Sequence, residues 1–368
     1  MQDTSDTAAA APRLTPAAAR MVGLDSLRGL AILAVIAFHV GLDFPAGGVV
    51  GTIAAMGYNG VQLFFVVSAI SMCYMWNQRR GEPAPVRSFL IRRLCRIAPP
   101  FWFGIVFYVL WRKLGLMGGA VSPLDVACTA LFLHGFVPSM INLVVPGGWS
   151  IAVEVGFYLL FPLMILRLRS VGQRMVFAAL CYAACTVAAT AVRHLAGPSI
   201  EVFLYYSLLT QLPVFVVGMV VYSLAVERES VPWATLAVTS VCWLVVAWII
   251  RAQGGLGRPA FWFEVFLMAV FSALIIGRFE SRILAFAGRF SYSAYLFHFA
   301  VLGLLSLAVP RRLHQGPAAF AIAFALTCLG TTVIAWVSSK TLEASSIAYG
   351  RKLVKRLNAS GVGSAAPV

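Results

Sequence analysis

Two ionisable residues share one face of an otherwise apolar stretch near the start of the chain. The segment Leu24 to Phe44 has the composition of a membrane-spanning helix, yet it contains Asp25, Arg28 and His39. Ionisable side chains are costly in hydrocarbon and commonly mark functional sites there. Since a helix has about 3.6 residues per turn, Arg28 and His39 lie on one stripe, about 16 Å apart along the axis. This spacing predicts that the two reactive side chains lie along one path across part of the bilayer.

Glu154 is a candidate partner for His39. It lies on the fourth predicted span, at the same predicted depth as His39. A carboxylate at that depth could orient the imidazole and raise its basicity, as a general base requires. The alternative is a structural pair that only locks helix packing. The presence of Arg28 on the same stripe as His39 favours the functional interpretation.

An arginine cluster precedes the third predicted span, in SFLIRRLCRIAPPFWF. Arg92, Arg93 and Arg96 fall within about one helical turn, and arginine is the preferred bidentate partner of phosphate. Ordinary anchoring by positive residues at the cytoplasmic surface is the alternative. Because Arg93 and Arg96 directly precede a helix start at Pro99, on the same side as Arg28, we predict an anion site there.

Other polar residues within predicted spans have two interpretations. Ser68, near the middle of the second span, is either a small packing residue or a substrate contact. Tyr292, Tyr295 and His298 recur at helical spacing in the ninth span. They either line the same cavity or form an aromatic packing seam.

The composition indicates an all-α, polytopic membrane protein with about ten transmembrane helices and a central polar cavity. The 368 residues are 61% hydrophobic and 11% charged, far from the roughly 25% charged residues of soluble domains. The seven cysteines lie in apolar segments without metal-ligand spacing, so we predict no metal. We attribute the net charge of +15 to membrane topology and not to nucleic acid.

About 20 mostly apolar residues are needed for each span. The predicted spans are 27–43, 60–76, 98–115, 149–167, 174–194, 202–225, 233–250, 261–277, 291–309 and 318–339. Segment 124–137 is apolar but short, and could be a further span, a re-entrant segment or an interfacial helix. We expect 117–148 to be a long outer or re-entrant segment, because an additional span would destroy the charge bias described next.

The distribution of Lys and Arg along the chain predicts its orientation in the membrane. With both termini cytoplasmic, ten spans place most of the 28 Lys and Arg residues on the cytoplasmic side. We predict a disordered tail over 1–22, a membrane domain over 23–340 and a basic cytoplasmic tail over 341–368. The tail would rest on anionic lipid. No internal repeat of the kind typical of secondary transporters is evident.

Five ordered motifs resemble the acyltransferase 3 family, bacterial multi-span membrane enzymes that O-acylate surface polysaccharides and other glycosides. They are LDSLRGLAILAVIAFH, FFVVSAI, RRLCRIAPPFWF, GGWSIAVEVGFYLLFPLM and FSYSAYLFH, and the resemblance covers about residues 24 to 340. Two departures, Ser26 and Ala69, stand where family members commonly have glycine. Neither is a proposed catalytic group.

The resemblance implies transfer of an acyl group, usually acetyl, from cytoplasmic acyl-CoA to a hydroxyl of a sugar or surface glycan in the inner membrane. His39 would be the general base or a transient acyl carrier, assisted by Glu154 and Arg28. The donor-binding residues would be Arg28, Arg93 and Arg96, and the possible substrate or oxyanion contacts Ser68, Tyr158, Trp149 and His298. The rival hypotheses are a proton-coupled transporter or flippase of a glycan-type substrate, and a structural scaffold.

Overall fold

The computed structural model describes residues 16–229 and 281–362, together with positions 234, 237, 238 and 241 between them. Over these residues the regular secondary structure is entirely helical, as predicted. The first six α-helices are α1 Pro16–Asp43, α2 Gly48–Met56, α3 Gly60–Arg79, α4 Pro85–Lys113, α5 Pro123–Ala130 and α6 Gly148–Arg167. The others are α7 Val171–Ala196, α8 Glu201–Tyr206, α9 Leu208–Tyr222, α10 Arg282–Arg289, α11 Ser291–Ala308, α12 Pro317–Ser338 and α13 Ala344–Val362.

Eight helical segments among the described residues are long and apolar enough to cross a membrane. They are Val22–Asp43, Gly48–Arg79, Pro85–Lys113, Gly148–Arg167, Val171–Ala196, Glu201–Glu227, Ser291–Ala308 and Pro317–Ala359. Each overlaps one predicted span. The other two predicted spans, 233–250 and 261–277, lie outside the described residues.

Helix α1 packs against α2, α3, α10, α11 and α12. Its contact with α10 depends on two glycines. A Cβ on Gly29 would lie 2.0 Å from the Leu284 carbonyl oxygen, and a Cβ on Gly288 would lie 1.8 Å from the Asp25 carbonyl oxygen. Small residues of this kind let two helix backbones approach closely in a membrane. The end of α1 that carries Arg28 is therefore held by direct backbone packing.

The segment between α4 and α6 contains no candidate span. It forms the short helix α5 and a 3-10 turn, Leu133–Phe136. Arg112 on α4 donates hydrogen bonds to the carbonyl oxygens of Leu143 and of Val144, the latter at 2.7 Å. The chain just before α6 is thereby tied to α4.

Both predicted tails contain helix. Helix α1 already begins at Pro16, within the segment 1–22 that was predicted to be disordered. Helix α13 lies within 341–368 and packs along α4, where Gly350 allows a close approach to Cys95. Arg87 also donates a 3.1 Å hydrogen bond to the Leu357 carbonyl oxygen. One side of the basic segment therefore contacts protein.

Candidate active site

Arg28 is held by two neighbours. Its Nη1 lies 2.7 Å from Asp25 Oδ1, and its Nη2 donates a 2.6 Å hydrogen bond to Ser71 Oγ. The side chain is 13% exposed. Since a guanidinium has five N–H donors, these contacts orient Arg28 and leave donors for a ligand.

Arg28 lines a small cavity of about 80 Å³, which we call the arginine cavity. Its lining includes seven residues singled out from the sequence: Arg28, Ser68, Arg93, Arg96, Glu154, Tyr292 and Tyr295. The third arginine of the cluster, Arg92, is not among the lining residues and instead binds both carboxylate oxygens of Glu82 at 2.7 Å. The structure thus separates Arg92 from the other two.

Arg93 is buried against aromatic rings. It is 4% exposed, and its guanidinium carbon lies 5.6 Å from the centre of the Phe89 ring and 5.7 Å from that of Tyr158. Among the described residues, no carboxylate lies within ion-pair distance of Arg93 or Arg96. A buried cation without a counter-charge is unfavourable. These two charges are therefore suited to a bound anion.

Glu154 also lines the arginine cavity, but it does not meet His39. Its Oε1 accepts a 2.5 Å hydrogen bond from Ser68 Oγ and a 2.8 Å hydrogen bond from the Tyr158 hydroxyl. No hydrogen bond joins Glu154 to His39 in the part of the chain described here. The predicted pair is therefore wrong as a contact, because equal depth in a membrane does not fix which way two helices face.

The same two contacts bear on the predicted oxyanion donors. A hydroxyl group has a single proton to donate. The protons of Ser68 and Tyr158 are both directed at Glu154. In this arrangement neither hydroxyl is free to stabilise an oxyanion.

His298 occupies the place predicted for Glu154. Its Nε2 lies 3.3 Å from Nδ1 of His39, and the side chain is fully buried. His298 Nδ1 lies 2.8 Å from the Tyr295 carbonyl oxygen, and His39 Nδ1 lies 2.9 Å from that of Val35. Because a carbonyl oxygen only accepts, each Nδ1 carries a proton. In the neutral pair, the single Nδ1 proton of His39 lies between the Val35 carbonyl oxygen and His298 Nε2, and His39 Nε2 keeps its lone pair.

His39 lines a larger cavity of about 820 Å³, which we call the histidine cavity. Its lining includes His39, Asn142, Trp149, Tyr205, Tyr206 and Gln211. The rings of Trp149 and Tyr206 are stacked, with centroids 4.6 Å apart. The lining is therefore rich in aromatic rings, with amide, hydroxyl and carboxylate groups between them. This is a lining suited to an organic ligand with a polar edge.

The two cavities have common walls. Val61 and Tyr295 line both of them. The Tyr295 hydroxyl lies 3.0 Å from the Gly147 carbonyl oxygen and accepts a 2.9 Å hydrogen bond from Ser150 Oγ. Val61 and Tyr295 therefore form a wall common to the arginine cavity and the chamber that contains His39.

Several site residues had no role in the sequence-based prediction. Ser71 binds Arg28, and Asn142 lines the histidine cavity. The recurrence of Tyr295 and His298 on one helix face was a signal for this region. The lone amide of Asn142 in an irregular segment gave no such signal.

The chain is similar to known acyltransferases. Residues 21–338 match the family model described as an acyltransferase domain. A stretch of 156 residues is 28% identical to a peptidoglycan O-acetyltransferase, OatA, of Listeria monocytogenes, covering 39% of this chain and 24% of that protein. The same length is 28% identical to a putative peptidoglycan O-acetyltransferase, YrhL, of Bacillus subtilis, covering 39% of this chain and 23% of that protein.

A third relative is the O-acetyltransferase OatA of Staphylococcus aureus, 26% identical over 155 residues, covering 39% of this chain and 24% of that protein. The chain thus matches about a quarter of the length of these relatives. No solved structure matches it significantly. Because the family model covers most of the chain and the described helices include eight candidate membrane spans, the chain belongs to the acyltransferase 3 family and is an integral membrane acyltransferase.

Proposed function

We propose that this acyltransferase transfers an acyl group, usually acetyl, from acyl-CoA to a hydroxyl of a sugar or surface glycan. The observation that carries the proposal is the common wall of the two cavities. One cavity contains three arginines suited to phosphate, of which Arg93 is buried, and the other contains His39. The acyl arm of a donor held in the arginine cavity would need to pass only the common wall at Val61 and Tyr295 to reach the histidine cavity.

The donor half of the proposal rests on Arg28, Arg93 and Arg96. Guanidinium groups bind phosphate through charge-assisted hydrogen bonds, often two at a time. Arg93 and Arg96 have no ion-pair partner among the described residues. They would hold the phosphates of CoA, and Arg28, oriented by Asp25 and Ser71, would hold the donor beside α1. Since acyl-CoA is cytoplasmic, this end of the molecule would face the cytoplasm.

The chemical step rests on His39. Its free Nε2 would take the proton of the acceptor hydroxyl as the oxygen attacks the thioester carbonyl carbon. The new C–O bond forms, the C–S bond breaks, and the proton passes from His39 to the departing CoA thiolate. His39 Nδ1–H stays directed at the Val35 carbonyl oxygen, beside His298 Nε2, which holds the ring in place.

The acceptor half rests on the histidine cavity and on the relatives. Two of those relatives are named as acting on peptidoglycan. Aromatic rings such as Trp149 and Tyr206 offer flat apolar faces for the C–H surfaces of a sugar ring. A glycan strand entering from the end of the molecule opposite the arginines would present a hydroxyl to His39.

The direct test uses the purified chain in lipid nanodiscs with acetyl-CoA labelled in the acetyl group. Soluble glycan strands released from peptidoglycan and a panel of simple oligosaccharides serve as acceptors. We expect label on at least one glycan, and its loss in His39→Ala. A flippase would move glycan without consuming acetyl-CoA, and that result would overturn the proposal.

The same material distinguishes the two roles of His39. An acyl-histidine intermediate predicts label on His39 when acceptor is omitted, detectable by rapid quench and peptide mass analysis. Direct transfer predicts unlabelled protein under those conditions.

A further inference from the structure

We infer that Asn142 forms a carbohydrate-binding subsite in the histidine cavity, pairing through its side-chain amide with two neighbouring polar groups of the acceptor sugar ring. This inference rests on the proposed function and deepens it, because it names the residue that selects the acceptor.

The first observation is the unused amide of Asn142. Its Oδ1 is buried without a hydrogen-bond partner, and no partner for Nδ2 occurs among the described residues. Buried polar atoms are almost always paired, so an orphan in a native site calls for an explanation. An unpaired amide in a cavity wall can supply one acceptor and one donor once its side chain turns toward a ligand.

The second observation is that the chain around Asn142 is fixed. The two residues that follow it, Leu143 and Val144, have their carbonyl oxygens bound by Arg112. A little further on, the Gly147 carbonyl oxygen lies 3.0 Å from the Tyr295 hydroxyl. These contacts limit the freedom of the segment to turn the amide away and pair it elsewhere. The backbone that carries the amide is therefore preorganised.

The third observation concerns the rest of the cavity wall. Trp149 is stacked on Tyr206 and only 5% exposed, so its ring position is also fixed. Gln211 and Tyr205 add polar atoms to the same lining. A flat aromatic wall with a few fixed polar groups suits a ring that has apolar faces and a polar rim.

These features together favour a carbohydrate. Neighbouring hydroxyls, or a hydroxyl beside an acetamido group, supply a donor and an acceptor at the spacing of one side-chain amide. The cavity of about 820 Å³ leaves room for more than one sugar unit. His39 lines the same cavity, so a ring bound by Asn142 would lie in one chamber with the catalytic nitrogen.

The pantetheine arm of CoA also contains amides and is the competing occupant. Two-substrate kinetics separates the two cases. We would measure initial rates for Asn142→Ala in nanodiscs, varying acetyl-CoA and the best glycan acceptor of the panel independently. We expect KM for the glycan to rise about tenfold or more, since a site built to bind polar groups discriminates strongly, while KM for acetyl-CoA stays within about twofold.

Asn59 provides the matched control. Its Oδ1 is also buried without a partner, but Asn59 is not among the residues lining either of the two cavities. Asn59→Ala should leave KM for the glycan unchanged. If misfolding were the cause in Asn142→Ala, kcat would fall with both KM values unaltered, and that result would overturn the subsite.

The remaining outcomes are equally decisive. A rise in KM for acetyl-CoA instead of the glycan would assign Asn142 to the donor and overturn the inference. Unchanged kinetics in an active enzyme would overturn the subsite and leave the acyltransferase standing. A wild-type protein that labels none of the glycans would overturn both.

Discussion

His298 Nε2 lies 3.3 Å from His39 Nδ1, so the histidine on α11 contacts the histidine on α1. The contacts at Nδ1 orient the ring of His39, which lines the histidine cavity. A glutamate would supply a negative charge at this position, whereas a neutral imidazole supplies only a lone pair. The electrostatic support for a protonated His39 is therefore weaker than a His–Glu pair would provide.

The first prediction concerns His298. His298→Phe keeps an aromatic ring but removes the acceptor beside His39, so we expect kcat to fall about 10- to 100-fold, less than in His39→Ala. General base catalysis by a positioned side chain contributes typically 10²- to 10⁴-fold. The measurement is the labelled-acetate transfer rate at saturating substrates. His314→Gln, at a buried histidine that contacts the Asp43 and Val309 carbonyl oxygens, is the control and should retain activity.

The second prediction separates two neighbouring arginines. Arg96 lines the arginine cavity and has no ion-pair partner within the described part of the chain, whereas Arg92 is paired with Glu82. Arg96→Ala should raise KM for acetyl-CoA by about 10- to 100-fold, as expected from about 1.5–3 kcal/mol for a hydrogen bond to a charged group. Arg92→Ala should change it less than about threefold. Equal effects would favour general anchoring at the membrane surface over a phosphate site.

The third prediction concerns Glu154. Because it binds Ser68 and Tyr158 and not His39, Glu154→Gln should leave the pH dependence of kcat unchanged. Removing either hydroxyl, by Ser68→Ala or Tyr158→Phe, should cost about 1–2 kcal/mol of stability. Thermal unfolding in nanodiscs and pH–rate profiles measure the two effects. A shifted pH profile in Glu154→Gln would restore the role first predicted for it.

The site was predictable where it depends on positions along one helix. Arg28 and His39 are related by helical spacing, and Arg93 and Arg96 by a single turn, so their placement follows from the sequence. The partner of His39 was not predictable, because it depends on how α1, α6 and α11 are rotated about their own axes. The hydrophobic pattern predicts the length of each span and the depth of each residue in the membrane. It does not predict how each helix is rotated about its axis, because most helix faces in a membrane are apolar.

The fold was predictable for a related reason. Apolar length identifies spans directly, and eight of the predicted ones coincide with long apolar helices. The close contact of α1 with α10 was not predicted, because it depends on two glycines far apart in sequence, Gly29 and Gly288. Single glycines in apolar helices are too common to indicate which pair will meet.

The fourth prediction tests that contact. A Cβ on Gly288 would lie 1.8 Å from the Asp25 carbonyl oxygen, so Gly288→Ala must push α10 away from α1. We expect at least about 2 kcal/mol of destabilisation, in the range of overpacked cores, and a loss of activity because Arg28 moves. Gly303→Ala on α11, where an added Cβ would have no neighbouring atom within 4 Å, is the control and should be neutral or slightly stabilising. Equal thermal stability of the two variants would contradict the packing.

The fifth prediction concerns acid sensitivity of the segment before α6. Burial lowers the pKa of His134 below its ordinary value, although a 3.1 Å hydrogen bond to the Gly148 carbonyl oxygen opposes the shift. His134 Nδ1 is buried without a partner, so a proton added there would find no acceptor. Because the unfolded histidine binds a proton at a higher pH than the folded one, stability is lost as the pH falls below about 6.5. We expect the melting temperature to fall more between pH 7.5 and 5.0 in the wild type than in His134→Gln. An equal fall in both proteins would assign the acid sensitivity to other groups.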